Sequence, residues 1–273
     1  MTLSEKSQRL GAFVIDNIEQ MRFQLEEMKP TSLDFPSFEV TPFDYIVFAE
    51  KALKTDSLES RINCVSHLKH AIDCELDTFL HILNLDTLLH ILNPKRDKAS
   101  VAEKIGITGR IGVFNSRSLV KLNQIRNKME HAYVEPEIQD LEVYSELVQA
   151  FVYALDGFMF MLAASPFMIW YRDNDWFSVH FLSSSFLYQF SSDDPDSYTE
   201  DLVFDRSDQI DDYIFAIKVF FLLCRAKHLI SLKSVVSELK QMLNLTSDGA
   251  SLSDRGVSRP KNVRPTSIDW DSE

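Results

Sequence analysis

Glycine is scarce, at 7 residues in 273, against a usual share near ~7%. So few glycines weigh against a Gly-rich phosphate loop or a doubly wound nucleotide fold. Cysteine is scarcer still. Cys64, Cys74 and Cys224 are odd in number and form no C-x-x-C pair, so they read as buried thiols in a reducing compartment. No run of about 18 uncharged apolar residues occurs, so no membrane span is expected. Glu5, Lys6, Arg9 and Asp16 interrupt the N-terminus, which does not suit a secretory signal. Positive charge is in deficit: 28 Lys and Arg stand against 41 Asp and Glu, giving a net charge of −13. A chain this acidic does not coat nucleic acid or an anionic bilayer nonspecifically, so any phosphate contact must come from a local patch. Together these deficits predict a soluble cytoplasmic protein.

The apolar residues are patterned mainly for helices. Leu10, Val14, Ile18, Met21 and Leu25 recur at steps of three and four, predicting a helix over 3–29 that Pro30 stops. Pro30, Pro36 and Pro42 mark an extended connector, and a short helix follows over 43–54. Asp56 and Glu59 have capping-box spacing. Behind them Ile62, Val65, Leu68, Ile72, Leu76, Phe79 and Leu83 line one face of a long helix. Residues 95–114 look irregular, with at most a short helix near 99–105. Another helix starts near Asn115 and ends before Pro136. A long helix over 137–164 carries Leu141, Tyr144, Leu147, Val148, Phe151, Leu155, Phe158 and Leu162.

The period changes after Pro166. Phe177, Val179 and Phe181 alternate with Ser178 and His180, and Phe186, Tyr188 and Phe190 alternate likewise, so strands are expected there, at 167–172 and at 202–204. A helix over 208–230 has Asp208, Asp211 and Asp212 at its positive end and Arg225, Lys227 and His228 at its negative end. A last helix covers 232–244, and the Ser-, Asp- and Pro-rich remainder reads as disordered. The expected organisation is mainly α. An N-terminal part (1–56) leads into a helical bundle (57–165), followed by a small α+β unit (166–245) and a tail (246–273).

The stretch that carries chemistry is Ile125-Arg126-Asn127-Lys128-Met129-Glu130-His131-Ala132-Tyr133. At about 100° per residue, Arg126, Asn123, Asn127, Glu130 and His131 share one arc, while Leu122, Ile125, Met129, Ala132 and Tyr133 share another. A plain reading is a surface ion pair of Arg126 with Glu130 and a last-turn histidine at the helix dipole. A second observation points to a polyanion. From Lys95 to Lys128 nine basic residues, among them Lys104, Arg110, Arg117, Lys121, Arg126 and Lys128, face only two acids, Asp97 and Glu103. Positive charge is therefore concentrated on the segment leading into the motif, although a solvated loop would look the same.

Arg126-Asn127-Lys128-Met129-Glu130-His131 resembles the Arg-polar-x3-His signature of the HEPN proteins, a class of helical bundles. Ala71-Ile72-Asp73 is similar to that family's upstream helix, where an acid follows a small-apolar pair. The resemblance covers about 57–165. It implies an antiparallel HEPN-like bundle and metal-independent RNA cleavage, with the motif helices of two chains meeting across a dimer cleft. Arg126 would stabilise the charge on the phosphate, His131 would act as acid or base, and Asn127 would orient. Lys128, Lys121, Asn123, Arg117 and Arg110 would bind substrate. Asp73, Glu75 or Glu130 would be a supporting acid. Asp77 is a departure, because many relatives carry Lys there. Tyr133 extends the pattern to Arg-x4-His-x-Tyr; in toxin relatives paired with a nucleotidyltransferase antitoxin such a tyrosine can be nucleotidylated, though Tyr133 also projects onto the apolar arc.

The resulting expectation is a homodimeric endoribonuclease, a toxin or antiviral effector whose partners are RNA and an antitoxin, without metal or cofactor. The alternative is a non-catalytic HEPN-like module that binds RNA, a nucleotide or a protein. Cys64, His67, His70 and Cys74 lie along one helix, but no partner segment completes a metal site; His67 could instead line the cleft. Gly106-Ile107-Thr108-Gly109-Arg110-Ile111-Gly112 lacks the Gly-Lys-Ser/Thr of a phosphate loop and reads as a flexible turn.

Overall fold

A computed structural model describes residues 3–24, 31–55, 57–86, 99–113, 138–165, 167–171, 174–183, 185–192, 201–205, 208–226 and 229–245. Within them lie α1 (Glu5–Asn17), β1 (Arg22–Gln24), α2 (Pro42–Leu53), α3 (Leu58–Ile82), α4 (Val101–Ile111) and α5 (Ile138–Ala163). The chain continues through β2 (Phe167–Trp170), β3 (Trp176–Phe181), β4 (Ser185–Ser191), β5 (Leu202–Asp205), α6 (Ile210–Arg225) and α7 (Leu232–Met242). The protein is mainly helical, with one antiparallel sheet in the order β1-β2-β3-β4-β5. The expected helices at 43–54 and 137–164, and the expected strands, are present within a few residues.

Four expectations are corrected. The helix expected over 3–29 stops at Asn17, and Arg22–Gln24 instead pairs antiparallel with β2, Phe23 opposite Ile169. Buried Ile18 and Met21 fit the helical spacing, but strand pairing decides their conformation. The N-cap of α3 is Ser57, whose side chain accepts from Ser60 N, and Ile62 on that helix is half exposed. The supposed turn at 106–112 is the second half of α4. Ser100 and Glu103 form a full capping box, and buried Ile105, Ile107 and Ile111 outweigh the low helix propensity of Gly106 and Gly109. Finally, α6 runs over Ile210–Arg225 only. The segments 115–136 and 246–273 lie outside the described residues.

Gly112 ends α4 in the left-handed conformation, at φ 84°, where an added Cβ would meet Lys218 Cε at 2.9 Å. Gly112→Ala is expected to cost about 1–2 kcal/mol of stability. Urea denaturation checks this, and an unchanged midpoint would contradict it.

Helix α6 organises the core. Every residue from Asp212 to Leu223 except Lys218 is buried, so the helix is apolar on all sides and needs packing all round. Phe220 faces the sheet, touching Phe167 and Phe186. Phe221 faces the helices, touching Phe79 of α3 and Phe158 of α5. Across β3 and β4, Phe177 opposes Phe190, Val179 opposes Tyr188 and Phe181 opposes Phe186, all six buried. Tyr188 Oη donates to Ala216 O at 2.6 Å, and Tyr213 Oη donates to Leu83 O at 3.0 Å, so both hydroxyls are satisfied by backbone.

The acids at the start of α6 tie other elements to it. Asp212 is buried and accepts from Ser4 N at 2.9 Å and from Ser7 Oγ, both at the start of α1. Asp208 pairs with Lys6 of α1, and Asp211 with Arg110 of α4. Among the described residues, α5 is the one helix long and apolar enough to cross a membrane, over Asp140–Ala163. Its buried face carries Leu141, Tyr144, Val148, Phe151, Leu155 and Leu162, whereas Leu147 is exposed at 45%.

Candidate functional site

Arg126, Asn127 and His131 lie outside the described residues, as do Asn123, Lys121, Lys128, Arg117, Glu130 and Tyr133. The described members of the expected site are Asp73 and Glu75 on α3 and Arg110 on α4.

The two acids of α3 differ in environment. Asp73 is half-buried, while Glu75 is 1% exposed, and its Oε1 has no hydrogen-bond partner among the described residues. Burial is the main reason that the Glu75 carboxyl is pushed up to about 8, with the Asp156 carboxylate on α5 adding to it. Burial also raises Asp156. A carboxyl that keeps its proton at neutral pH can donate a hydrogen bond or a proton, but it cannot serve as a fixed counter-charge. Asp156 was missed by sequence reasoning, although a signal was present. It is the one charged residue in the otherwise uncharged stretch 147–163.

The charge of α4 is already matched. Lys104, though largely buried, reaches Asp77 Oδ1 of α3 at 2.6 Å. Asp77, the departure from the HEPN pattern, thus fixes α4 to α3. Arg110 donates through Nη2 to Asp211 Oδ1 at 2.5 Å. A phosphate at Arg110 must compete with that carboxylate, and the half-exposed setting keeps the pair weak enough to exchange.

The remaining nucleophiles and bases are held in packing roles. Burial pushes Cys64 to about 11 and Cys224 to about 12. Burial, with Glu75 and Asp77 adding, pushes Cys74 to about 11, and its thiol donates to Val40 O at 3.6 Å. All three are thiols at neutral pH and poor nucleophiles. His70 stacks on Tyr45 at 5.2 Å, and His67 meets Phe48 edge-on at 5.5 Å. Desolvation, then the neighbouring His70, lowers the pKa of His67. Ser178 Oγ lies 2.8 Å from His180 Nε2, a nucleophile–base distance, but Ser178 is 1% exposed and closed to substrate. Among the described residues no cluster of three His, Cys, Asp or Glu could hold a metal ion.

No family model, curated protein or solved structure matches the chain.

Proposed function

We propose that the chain is a metal-independent endoribonuclease of HEPN type, acting as a toxin or antiviral effector. The observation that carries this reading is the sequence Arg126-Asn127-Lys128-Met129-Glu130-His131-Ala132-Tyr133, preceded by the basic run from Lys95 and set between the long helices α3 and α5. The buried acid Glu75 on α3, upstream of the motif, also suits it. In this reading His131 moves a proton to or from the 2′-hydroxyl and the leaving oxygen, because imidazole titrates near neutrality. Arg126 holds the negative charge that gathers on the phosphate, and Asn127 orients one or the other. The nucleophile is the substrate's own hydroxyl, so the chemistry does not call for a metal. The protein would act as a homodimer, with an antitoxin such as a nucleotidyltransferase as a further partner.

One observation favours the second reading, a non-catalytic HEPN-like module. Lys104 and Arg110, two of the basic residues leading into the motif, are each matched by an acid, which leaves less free charge for RNA. Incubating wild type and His131→Ala with RNA and a chelator separates the two. Cleavage by wild type alone, leaving cyclic-phosphate ends, is expected. Equal binding by both proteins without cleavage would establish the module instead.

A further inference from the structure

The sheet has two unlike faces. On the first, Phe177, Phe181, Phe186 and Phe204 are fully buried, and α1 and α6 pack there through Phe13 and Phe220. The register fixes the composition of the second face without a break, because residues paired across an antiparallel ladder point the same way. One row across it is Arg22, Trp170, Trp176 and Ser191, and another is His180, Leu187 and Val203. Ser178 between the rows is buried, whereas all seven residues of the rows keep part of their surface open. The charge around this face has one sign. From 173 to 205 the chain has eight Asp or Glu and no Lys or Arg. By alternation with Val203, Asp201 and Asp205 stand at the β5 edge of the second face, and Asp201 accepts from Gln189 Nε2 at 3.4 Å. Burial lowers the pKa of His180, against the pull of Asp201, so the ring adds no positive charge at neutral pH. Arg22, at the opposite edge, is the one cation in the two rows.

We propose that this second face of the sheet is the docking surface for the chain's own residues 255–268. The inference does not depend on the nuclease reading. That tract holds Arg255, Arg259, Lys261 and Arg264 and no acid, in a chain of −13, so its charge complements that of the strand region. Its place in the chain also suits the face. The described residues end at Leu245, just past α7. Leu243 packs directly over Gly11 of α1, where an added Cβ would meet its Cδ1 at 2.6 Å. Phe13, two residues on, packs on Phe177 and Phe190 at 5.4 and 4.8 Å. Those are the chain neighbours of Trp176 and Ser191, so the chain leaves α7 close to the end of the sheet that carries the tryptophans. From Leu245 to Arg255, extended chain spans about 33–36 Å, enough to round the edge of a body of about 18 Å radius of gyration. Trp170 and Trp176 are partly open, and a guanidinium stacks favourably on an indole. Pro260 and Pro265 bias Arg259 and Arg264, the residues before them, to an extended backbone. RNA fits the face less well, because its phosphates would meet the acids of this region. A separate basic partner would have to compete with a tethered segment, whose effective concentration is on the order of millimolar.

Tryptophan quenching in the full chain tests the assignment. With Trp270→Phe, emission comes only from Trp170 and Trp176. Ser258→Cys then carries a nitroxide quencher; the three native cysteines are slow to react, because burial keeps them as thiols. At low salt the emission is expected to lie about two-fold or more below that of the same protein with the nitroxide reduced. It should recover in about 0.5 M salt, and likewise when Arg259→Glu, Lys261→Glu and Arg264→Glu are combined in the labelled chain. Asp201→Lys should weaken the quenching and leave the urea midpoint unchanged. Quenching should be equal at about 1 and about 50 µM protein, as a tether requires. Emission that the nitroxide leaves unchanged at low salt overturns the proposal, and so does quenching that survives the triple substitution. Quenching that grows with protein concentration would give the face to the tail of a second copy. Loss of binding to a single-stranded RNA oligonucleotide on the triple substitution, with no change in emission, would give the tract to RNA. Either result also overturns the proposal. None of these readouts involves cleavage, so a failure here and a failure of the nuclease reading are separate results.

Discussion

Replacing Phe221 with alanine should lower the stability of the whole protein by about 3–5 kcal/mol, in the range expected for truncating a fully buried aromatic. The side chain is 1% exposed. Its ring packs edge-on against Phe158 at 4.7 Å and Phe220 at 5.3 Å, and parallel to Phe79 at 6.4 Å. Those three partners belong to α5, α6 itself and α3, so the vacated volume is bounded by three elements that cannot all move in to fill it. The loss should be shared by the sheet as well, because Phe220, next along α6, is locked between Phe167 and Phe186. Urea unfolding followed by helical circular dichroism and by tryptophan fluorescence, to which Trp170 and Trp176 on β2 and β3 contribute, should therefore shift by the same amount with both probes. A substitution at Leu58, half exposed in the first turn of α3, should change stability by less than about 0.5 kcal/mol when made to alanine. If the fluorescence transition stayed in place while the helical one moved, α6 would not couple the two layers.

The elements that were legible in the sequence are those whose own residues state their period. Phe177, Val179 and Phe181, and Phe186, Tyr188 and Phe190, announce two strands because their alternation matches the sheet's two faces. Helix α5 is legible by length and by the spacing of its apolar residues. β1 was not, because three residues carry no period and their conformation comes from pairing with β2. α4 was obscured by Gly106 and Gly109, although Ser100 and Glu103 held the start signal. The acids of α6 looked like ordinary dipole complements, yet Asp212 is a buried cross-link to α1 and Asp211 a tie to α4. One-dimensional charge statistics fail in the same way for the basic run from Lys95, since the partners of Lys104 and Arg110 sit some 27 residues before and 101 after them. The chemical motif, by contrast, could be read only from the sequence, because Arg126 through His131 lie outside the described residues.

Glu75 makes the second large prediction, and its sign follows from the direction of the shift. Burial first, and then the facing Asp156, raise this carboxyl from an ordinary 4.5 to about 8 in the folded protein. Between those two values the folded chain keeps the proton and the unfolded chain has lost it, so the folded state binds more protons and its stability falls as pH rises. The contribution of the protonated carboxyl is whole below pH 4.5 and is lost as pH passes through 8. Over the window it amounts to about 4–5 kcal/mol, at no more than ~1.4 kcal/mol per pH unit. Gln has the same shape and never ionises. Glu75→Gln should thus flatten the stability profile between pH 4.5 and 8 and make the protein more stable than wild type at pH 8. Asp156→Asn removes one of the two causes and should shorten the window from its upper end without abolishing it, because burial remains the larger cause. Urea midpoints at half-unit pH steps for the three proteins decide the matter. A wild-type slope retained in Glu75→Gln would mean that another group carries it, and would leave the interface of α3 and α5 without the buried acid proposed for the site.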